Sequence, residues 1–136
     1  MSSGARYRVL VVDDEPIVLQ LVTRILERQG HRVDPAGDGA EALACLRGLR
    51  EPPQAVVLDL SLRPAGARAT TEALRDAGAS CGWVWIGGEA PTPEDQTYLE
   101  ALGGRFVAKP FAPRALLEAV SAVVPVASVA PGSGAA

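Results

Sequence analysis

Short apolar runs alternate along this chain with segments whose apolar residues recur every three or four positions, the two signatures of buried strands and amphipathic helices. The run Tyr7-Arg8-Val9-Leu10-Val11-Val12 predicts a first strand. Pro16 fits the first turn of a helix in which Val18, Leu21, Val22, Ile25 and Leu26 keep the spacing of one buried face, and Gly30 suits its end. A short strand around Arg32 to Asp34, a turn at Gly37-Asp38-Gly39 and a helix from Ala40 to about Leu49 follow, with Leu43 and Leu46 on the helix's apolar side. Glu51-Pro52-Pro53 breaks that helix. Ala55-Val56-Val57-Leu58 is apolar throughout, as expected of a central strand covered on both faces.

The segment Leu62-Arg63-Pro64-Ala65-Gly66 reads as a loop, and a weak, short helix containing Thr71, Leu74 and Ala77 stops at Gly78. Trp83-Val84-Trp85-Ile86 is a fourth strand, left through Gly87-Gly88. Strand alternation puts Trp83 and Trp85 on one face, where core packing is the expectation and a partner surface at Trp85 the alternative. Thr92-Pro93-Glu94-Asp95 supplies a helix cap, a first-turn proline and an acid three places on, opening a helix through Tyr98, Leu99 and Leu102. Gly103-Gly104 closes it, Arg105 to Ala108 forms a fifth strand ending at Lys109-Pro110-Phe111, and Pro113 opens a last helix with Leu116, Ala119, Val120 and Val123 inward. Five strands alternating with five helices are satisfied by right-handed crossovers and a doubly wound parallel sheet, an α/β fold. The domain spans residues 6–124, and 125–136, rich in small residues, Pro and Gly, reads as a disordered tail.

Composition adds exclusions. At 136 residues and 48% hydrophobic the chain can bury one ordinary core. With 13 basic against 16 acidic residues and no Lys/Arg run, direct nucleic-acid binding is not expected. Apolar runs fall far short of the ~20 residues that span a bilayer, and no signal-peptide pattern precedes the first strand, so a soluble, cytoplasmic protein without membrane contact is expected. Cys45 and Cys81 are distant and lack any metal or redox spacing, and read as buried or partly buried thiols without chemistry. His31, the single histidine, has no partner in sequence and reads as an uninvolved surface residue.

Chemistry concentrates at strand ends. The first strand runs into Asp13-Asp14, the third into Asp59, and the fifth into Lys109, the chain's sole lysine among twelve arginines. In a parallel sheet these ends share the edge where open α/β folds bind ligands. Each acid alone could be a helix cap or a solvated loop residue, but three acids and the one lysine at matching places point to a divalent cation and a phosphoryl group. Magnesium suits hard oxygen donors, so Asp13, Asp14 and Asp59 are candidate ligands. Asp59 is also a candidate nucleophile forming an acyl phosphate, and Lys109 a counter-charge to phosphoryl oxygens. On a continued strand Asp13 and Asp14 would point to opposite faces; a bend into the loop lets both reach one cation.

The segments Val9-Leu10-Val11-Val12-Asp13-Asp14-Glu15-Pro16, Asp38-Gly39-Ala40-Glu41-Ala42-Leu43, Val57-Leu58-Asp59-Leu60 and Lys109-Pro110-Phe111, in this order and spacing, resemble the receiver domain of two-component response regulators over about residues 6 to 124. The resemblance implies a flavodoxin-like sheet of order 2-1-3-4-5, Mg2+ at Asp13, Asp14, Asp59 and the backbone carbonyl of Ser61, and phosphotransfer to Asp59 from a histidine kinase or phosphotransfer protein. It also implies phosphoryl binding by Lys109 with Gly87 and Gly88, and output by docking on a downstream protein. Homodimerisation through the fourth helix, fifth strand and fifth helix is an expected assembly. Chemistry would be confined to self-phosphotransfer and autodephosphorylation, so no separate enzyme activity is expected.

The chain departs from the family pattern at several places. The fourth strand usually ends in Thr or Ser, whose hydroxyl contacts the phosphoryl group; here that position is Gly87. One hydrogen bond, worth about 1 kcal/mol, is missing. The aromatic switch position is Phe106, which lacks that hydroxyl partner. Arg63 stands where proline is usual, with Pro64 one place late, and Ser61 and Glu89 fall where the family tunes dephosphorylation. The leading expectation is a phosphoacceptor domain without its own output domain, and the second a phosphorylation-independent interaction module, which Gly87 favours. A small-molecule phosphohydrolase would want a second acid at position 61, and a nucleotide cradle is opposed by Asp13-Asp14-Glu15.

Overall fold

The computed structural model describes residues 5–125, and most of the segment read as a tail lies outside them. Five strands, β1 (Arg8–Val12), β2 (Arg32–Ala36), β3 (Ala55–Asp59), β4 (Gly82–Gly87) and β5 (Arg105–Ala108), alternate with five helices. These are α1 (Pro16–Arg28), α2 (Gly39–Gly48), α3 (Gly66–Asp76), α4 (Pro93–Ala101) and α5 (Pro113–Val123). The strands form one parallel sheet in the order β2-β1-β3-β4-β5, the flavodoxin-like arrangement expected. Among the described residues no helix is long and apolar enough to cross a membrane.

Strand alternation divides the core in two. Val9, Val11, Ala55, Val57, Val84 and Ile86 face α1 and α5, where Val22, Leu26, Leu116 and Val120 complete one buried cluster. Leu10, Val12, Val56, Leu58, Trp83 and Trp85 face the other way and pack with Ala42, Leu74 and Leu99 of α2, α3 and α4. Both tryptophans are therefore core, which rules out a partner surface at Trp85. Its indole N–H is satisfied inside the protein by Thr71 Oγ1 at 3.1 Å. Gly82 permits the closest approach in the fold: a Cβ there would overlap the carbonyl of Val123 at the end of α5.

Local chemistry explains the helix starts. Asp38 accepts from the Glu41 N–H at 2.8 Å while Glu41 reaches back to the Gly37 N–H at 2.7 Å, and Thr92 accepts from the Asp95 N–H. Three expectations need correction. His31 is not a surface residue: it is 7% exposed, its ring stacks on Tyr7 with centroids 5.0 Å apart, and its Nδ1 accepts the Tyr7 N–H at 3.1 Å. That bond satisfies a backbone donor just ahead of β1, a need invisible from one isolated histidine. Leu21 is not on the buried face, because the apolar arc of α1 is wider than the strip the sheet covers; Leu21 is 50% and Ile17 81% exposed.

The third correction is α3, which begins at Gly66 and runs for 11 residues rather than being short. Its inward face is built from Ala67, Thr70, Thr71 and Leu74, small or polar residues that a search for large apolar side chains passes over. The strand β2 also extends two residues further than expected, through Pro35; as an edge strand paired only with β1 it tolerates a residue without an N–H.

Candidate functional site

β1 ends at Val12, so Asp13 and Asp14 both lie beyond the pleat in the connection to α1. Freed from strand alternation, their carboxylates converge with that of Asp59, the last residue of β3, and ligand oxygens of all three lie within 4.8 Å of one another. Asp13 and Asp59 are buried, whereas Asp14 is exposed. The surrounding loops are held by backbone bonds that prolong the sheet: Leu60 N–H donates to the Ile86 carbonyl at 2.6 Å, and Lys109 N–H to the Gly87 carbonyl at 2.8 Å. The ends of β3 and β5 are thus both fixed against the end of β4.

Lys109 Nζ donates to Asp59 Oδ1 at 3.0 Å and lies 3.6 Å from Glu15 Oε1. Burial pulls the lysine pKa down, but the hydrogen bond to Asp59 and the charges of Asp59, Asp13 and Glu15 outweigh it, so the net shift is upward and the ammonium is retained. Asp13 moves from 3.8 to about 6, chiefly because burial disfavours its charged form; the Glu15 N–H, donated to Asp13 Oδ1 at 2.9 Å, opposes this, and the Asp59 charge reinforces it. The other oxygen, Asp13 Oδ2, is buried with no hydrogen-bond partner. A carboxylate oxygen without a protein partner, beside two further carboxylates, fits a hard divalent cation.

The remaining site residues sit around this core. Ser61 contributes its side chain as well as its backbone: Oγ donates to Asp59 Oδ2 at 2.8 Å. Asp14 Oδ2 accepts the Arg63 N–H at 3.3 Å, tying the loop after β3 to the acidic cluster. Gly87, the last residue of β4, has no room for a side chain, since a Cβ would lie 2.9 Å from Leu60 Cβ and 3.3 Å from Leu60 Cδ2. Gly88 faces open space. Beside them, Leu60, Ser61, Gly87, Gly88, Glu89 and Thr92 border a cavity of about 350 Å³. Phe106, half-buried in β5 opposite Trp85, packs against the core cluster of α2, α3 and α4.

Two contacts escaped the sequence reading, one of them made by Ser61, a residue already placed at the site. Glu15 reaches Lys109, and its adjacency to Asp13-Asp14 was the available signal. The Ser61 hydroxyl bond had none, because it depends on a rotamer rather than a spacing. The cysteines take no part: Cys45 and Cys81 are partly buried, and burial raises both thiols, Cys81 to about 12.

Comparison with known proteins agrees with this geometry. The family model for the response regulator receiver domain matches residues 9–121. The DNA-binding response regulator MtrA of Mycolicibacterium smegmatis is 35% identical over 118 residues, covering 86% of this chain and 50% of MtrA. The chain thus spans about half the length of the curated relatives it matches first. Protein PilH of Pseudomonas aeruginosa is 31% identical over 119 residues, covering 86% of this chain and 97% of PilH. Among solved structures, the Vibrio cholerae chemotaxis protein CheY4 superposes with a TM-score of 0.77 at 28% identity, covering 88% of this chain and all of that one. A sheet of order 2-1-3-4-5, acids at the ends of β1 and β3 and a family match over most of the chain lead to one conclusion: this protein belongs to the receiver domain family of two-component response regulators.

Proposed function

We propose that the unit formed by residues 6–124 accepts a phosphoryl group on Asp59 from the phosphohistidine of a histidine kinase or phosphotransfer protein. The observation that carries this reading is the pairing of Asp59 with Lys109 Nζ at 3.0 Å inside a cluster of three carboxylates at one sheet edge. A carboxylate oxygen of Asp59 forms the new bond to phosphorus as the bond from phosphorus to the donor nitrogen breaks, and the electron pair leaves with the imidazole. Lys109 supplies a fixed positive charge where the phosphoryl oxygens gather charge.

Asp13, Asp14, Asp59 and the backbone carbonyl of Ser61 would hold Mg2+, with the orphaned Asp13 Oδ2 the strongest support for a cation there. When bound, the ion neutralises the cluster and the incoming phosphoryl charge. Gly87 and Gly88 would flank the phosphoryl group, and Phe106 would occupy the switch position. Output would pass to a downstream protein rather than to nucleic acid, and a homodimer through α4, β5 and α5 is the assembly we favour.

The test is intact mass after incubation with acetyl phosphate and Mg2+, beside Asp59→Asn and a metal-free control. A Mg2+-dependent gain of one phosphoryl group, absent in Asp59→Asn, is expected; no gain in folded protein would refute the reading. One observation favours a second reading, a phosphorylation-independent interaction module: β4 ends in Gly87, which has no hydroxyl to offer a phosphoryl group. The same absence of mass gain would support it.

A further inference from the structure

We propose that the Ser61 hydroxyl is the phosphoryl-positioning donor of this site, taking over from the end of β3 a task that the end of β4 cannot perform. The inference rests on the phosphoacceptor reading of Asp59. The Asp59 carboxylate has two side-chain donors, Lys109 Nζ on Oδ1 and Ser61 Oγ on Oδ2. Across from Ser61 the strand β4 ends in Gly87, where any Cβ would press within 2.9 Å of Leu60 Cβ, the rigid root of that side chain rather than its adaptable tip. A hydroxyl-bearing residue is absent at position 87, and one placed there would have to displace Leu60. Thr92, another hydroxyl bordering the cavity, caps α4 through the Asp95 N–H and makes no hydrogen bond to Asp59.

The bond changes partner with the chemistry. In the free protein Ser61 donates to a carboxylate oxygen carrying part of a full charge. When Asp59 attacks an acyl phosphate, its oxygen bonds to phosphorus, the bond from phosphorus to the donor's acyl oxygen breaks, and the carboxylate leaves with the electron pair. The Ser61 proton stays on its own oxygen throughout. The charge on the Asp59 oxygens falls as they become part of an acyl phosphate, while the non-bridging phosphoryl oxygens carry the negative charge. A hydroxyl on the exposed rim of the cavity, free to rotate, then finds its stronger acceptor on the phosphoryl group. A donor whose bond strengthens along the reaction accelerates it, whereas a donor that only stabilises the free carboxylate retards it.

The two roles predict opposite signs for one variant. Wild type, Ser61→Ala, Ser61→Thr and Asp59→Asn are incubated with acetyl phosphate and Mg2+ and followed by intact mass, and the phosphorylated forms are compared by 31P NMR. Ser61→Ala is expected to phosphorylate about ten-fold more slowly, the effect of one hydrogen bond to a charged acceptor. Its 31P resonance should shift from the wild-type position, and Ser61→Thr should restore both rate and resonance. Ser61→Ala that phosphorylates as fast as wild type or faster would overturn the proposal, as would a slower rate with an unmoved resonance. Wild type gaining no mass would instead remove the phosphoacceptor reading and this proposal with it.

Discussion

Asp13→Asn should make the metal-free protein more stable at neutral pH while removing most of its response to Mg2+. Asp13 is 1% exposed, one of its oxygens has no partner, and its pKa rises from 3.8 to about 6, chiefly through burial. A folded-state pKa above the unfolded value means that this group's contribution is complete below 3.8 and is lost as pH rises through about 6. A gap of about two units corresponds to roughly 3 kcal/mol of stability withheld at pH 7 and above. Asparagine keeps an oxygen for the Glu15 N–H and turns the orphaned acceptor into a donor facing carboxylates. We expect a gain of about 2 kcal/mol at pH 7.5, somewhat below the full figure because an amide is not an ideal replacement.

Urea unfolding followed by the fluorescence of the buried Trp83 and Trp85 measures this directly, in chelator and in Mg2+, at pH 7.5 and 4.5. The gap between variant and wild type should shrink to about 1 kcal/mol or less at pH 4.5, where Asp13 is protonated in the folded protein. Mg2+ at about a hundred times its Kd should stabilise wild type by about 2.7 kcal/mol and the variant by far less. An Asp13→Asn protein less stable than wild type at pH 7.5, or a gap independent of pH, would refute the argument that an uncompensated acid strains the metal-free site.

Lys109→Met removes the one ammonium on Asp59 and should slow phosphorylation by acetyl phosphate about 100-fold, measured by intact mass. Gly87→Thr should cost about 1–3 kcal/mol in urea unfolding by overlapping Leu60 Cβ, and Leu60→Ala in the same chain should recover part of that loss; full stability of the single variant would contradict the packing described. His31→Leu deprives the Tyr7 N–H of its acceptor and should cost about 1–3 kcal/mol at pH 7.5. Burial lowers the His31 pKa below 6.5, so its contribution is whole above 6.5 and declines as pH falls towards the depressed value. The difference between wild type and His31→Leu should therefore narrow below pH 6.5, a comparison in which the opposite trend from Asp13 cancels.

Residues governed by backbone periodicity were legible in the sequence. β1, β3 and β4 are short apolar runs because they are covered on both faces, and the acids and lysine at strand ends follow from the parallel sheet once those strands are placed. What escaped depended on which neighbour a side chain meets. His31 is buried because Tyr7 offers a ring and an unpaired N–H. Leu21 is exposed because α1 meets the sheet along a strip narrower than its apolar arc. The helix α3 hides its length because threonine serves there as a buried residue, Thr71 paired with the Trp85 indole and Thr70 bonded to its own helix.

The chain's acidic departures from ordinary folding rules gather at one edge of the sheet. Elsewhere strands alternate faces, Asp38 and Thr92 cap their helices, and most large apolar side chains of the sheet are buried. At the ends of β1 and β3 one oxygen of a buried acid lacks a protein partner and three carboxylates crowd together. Each is a cost to the folded state that packing alone gives no reason to keep. Both costs have one remedy, positive charge brought among the carboxylates. Asparagine at position 13 would relieve much of that cost, and the acid that stands there instead, beside Asp59, is the reason to look for a cation at this edge.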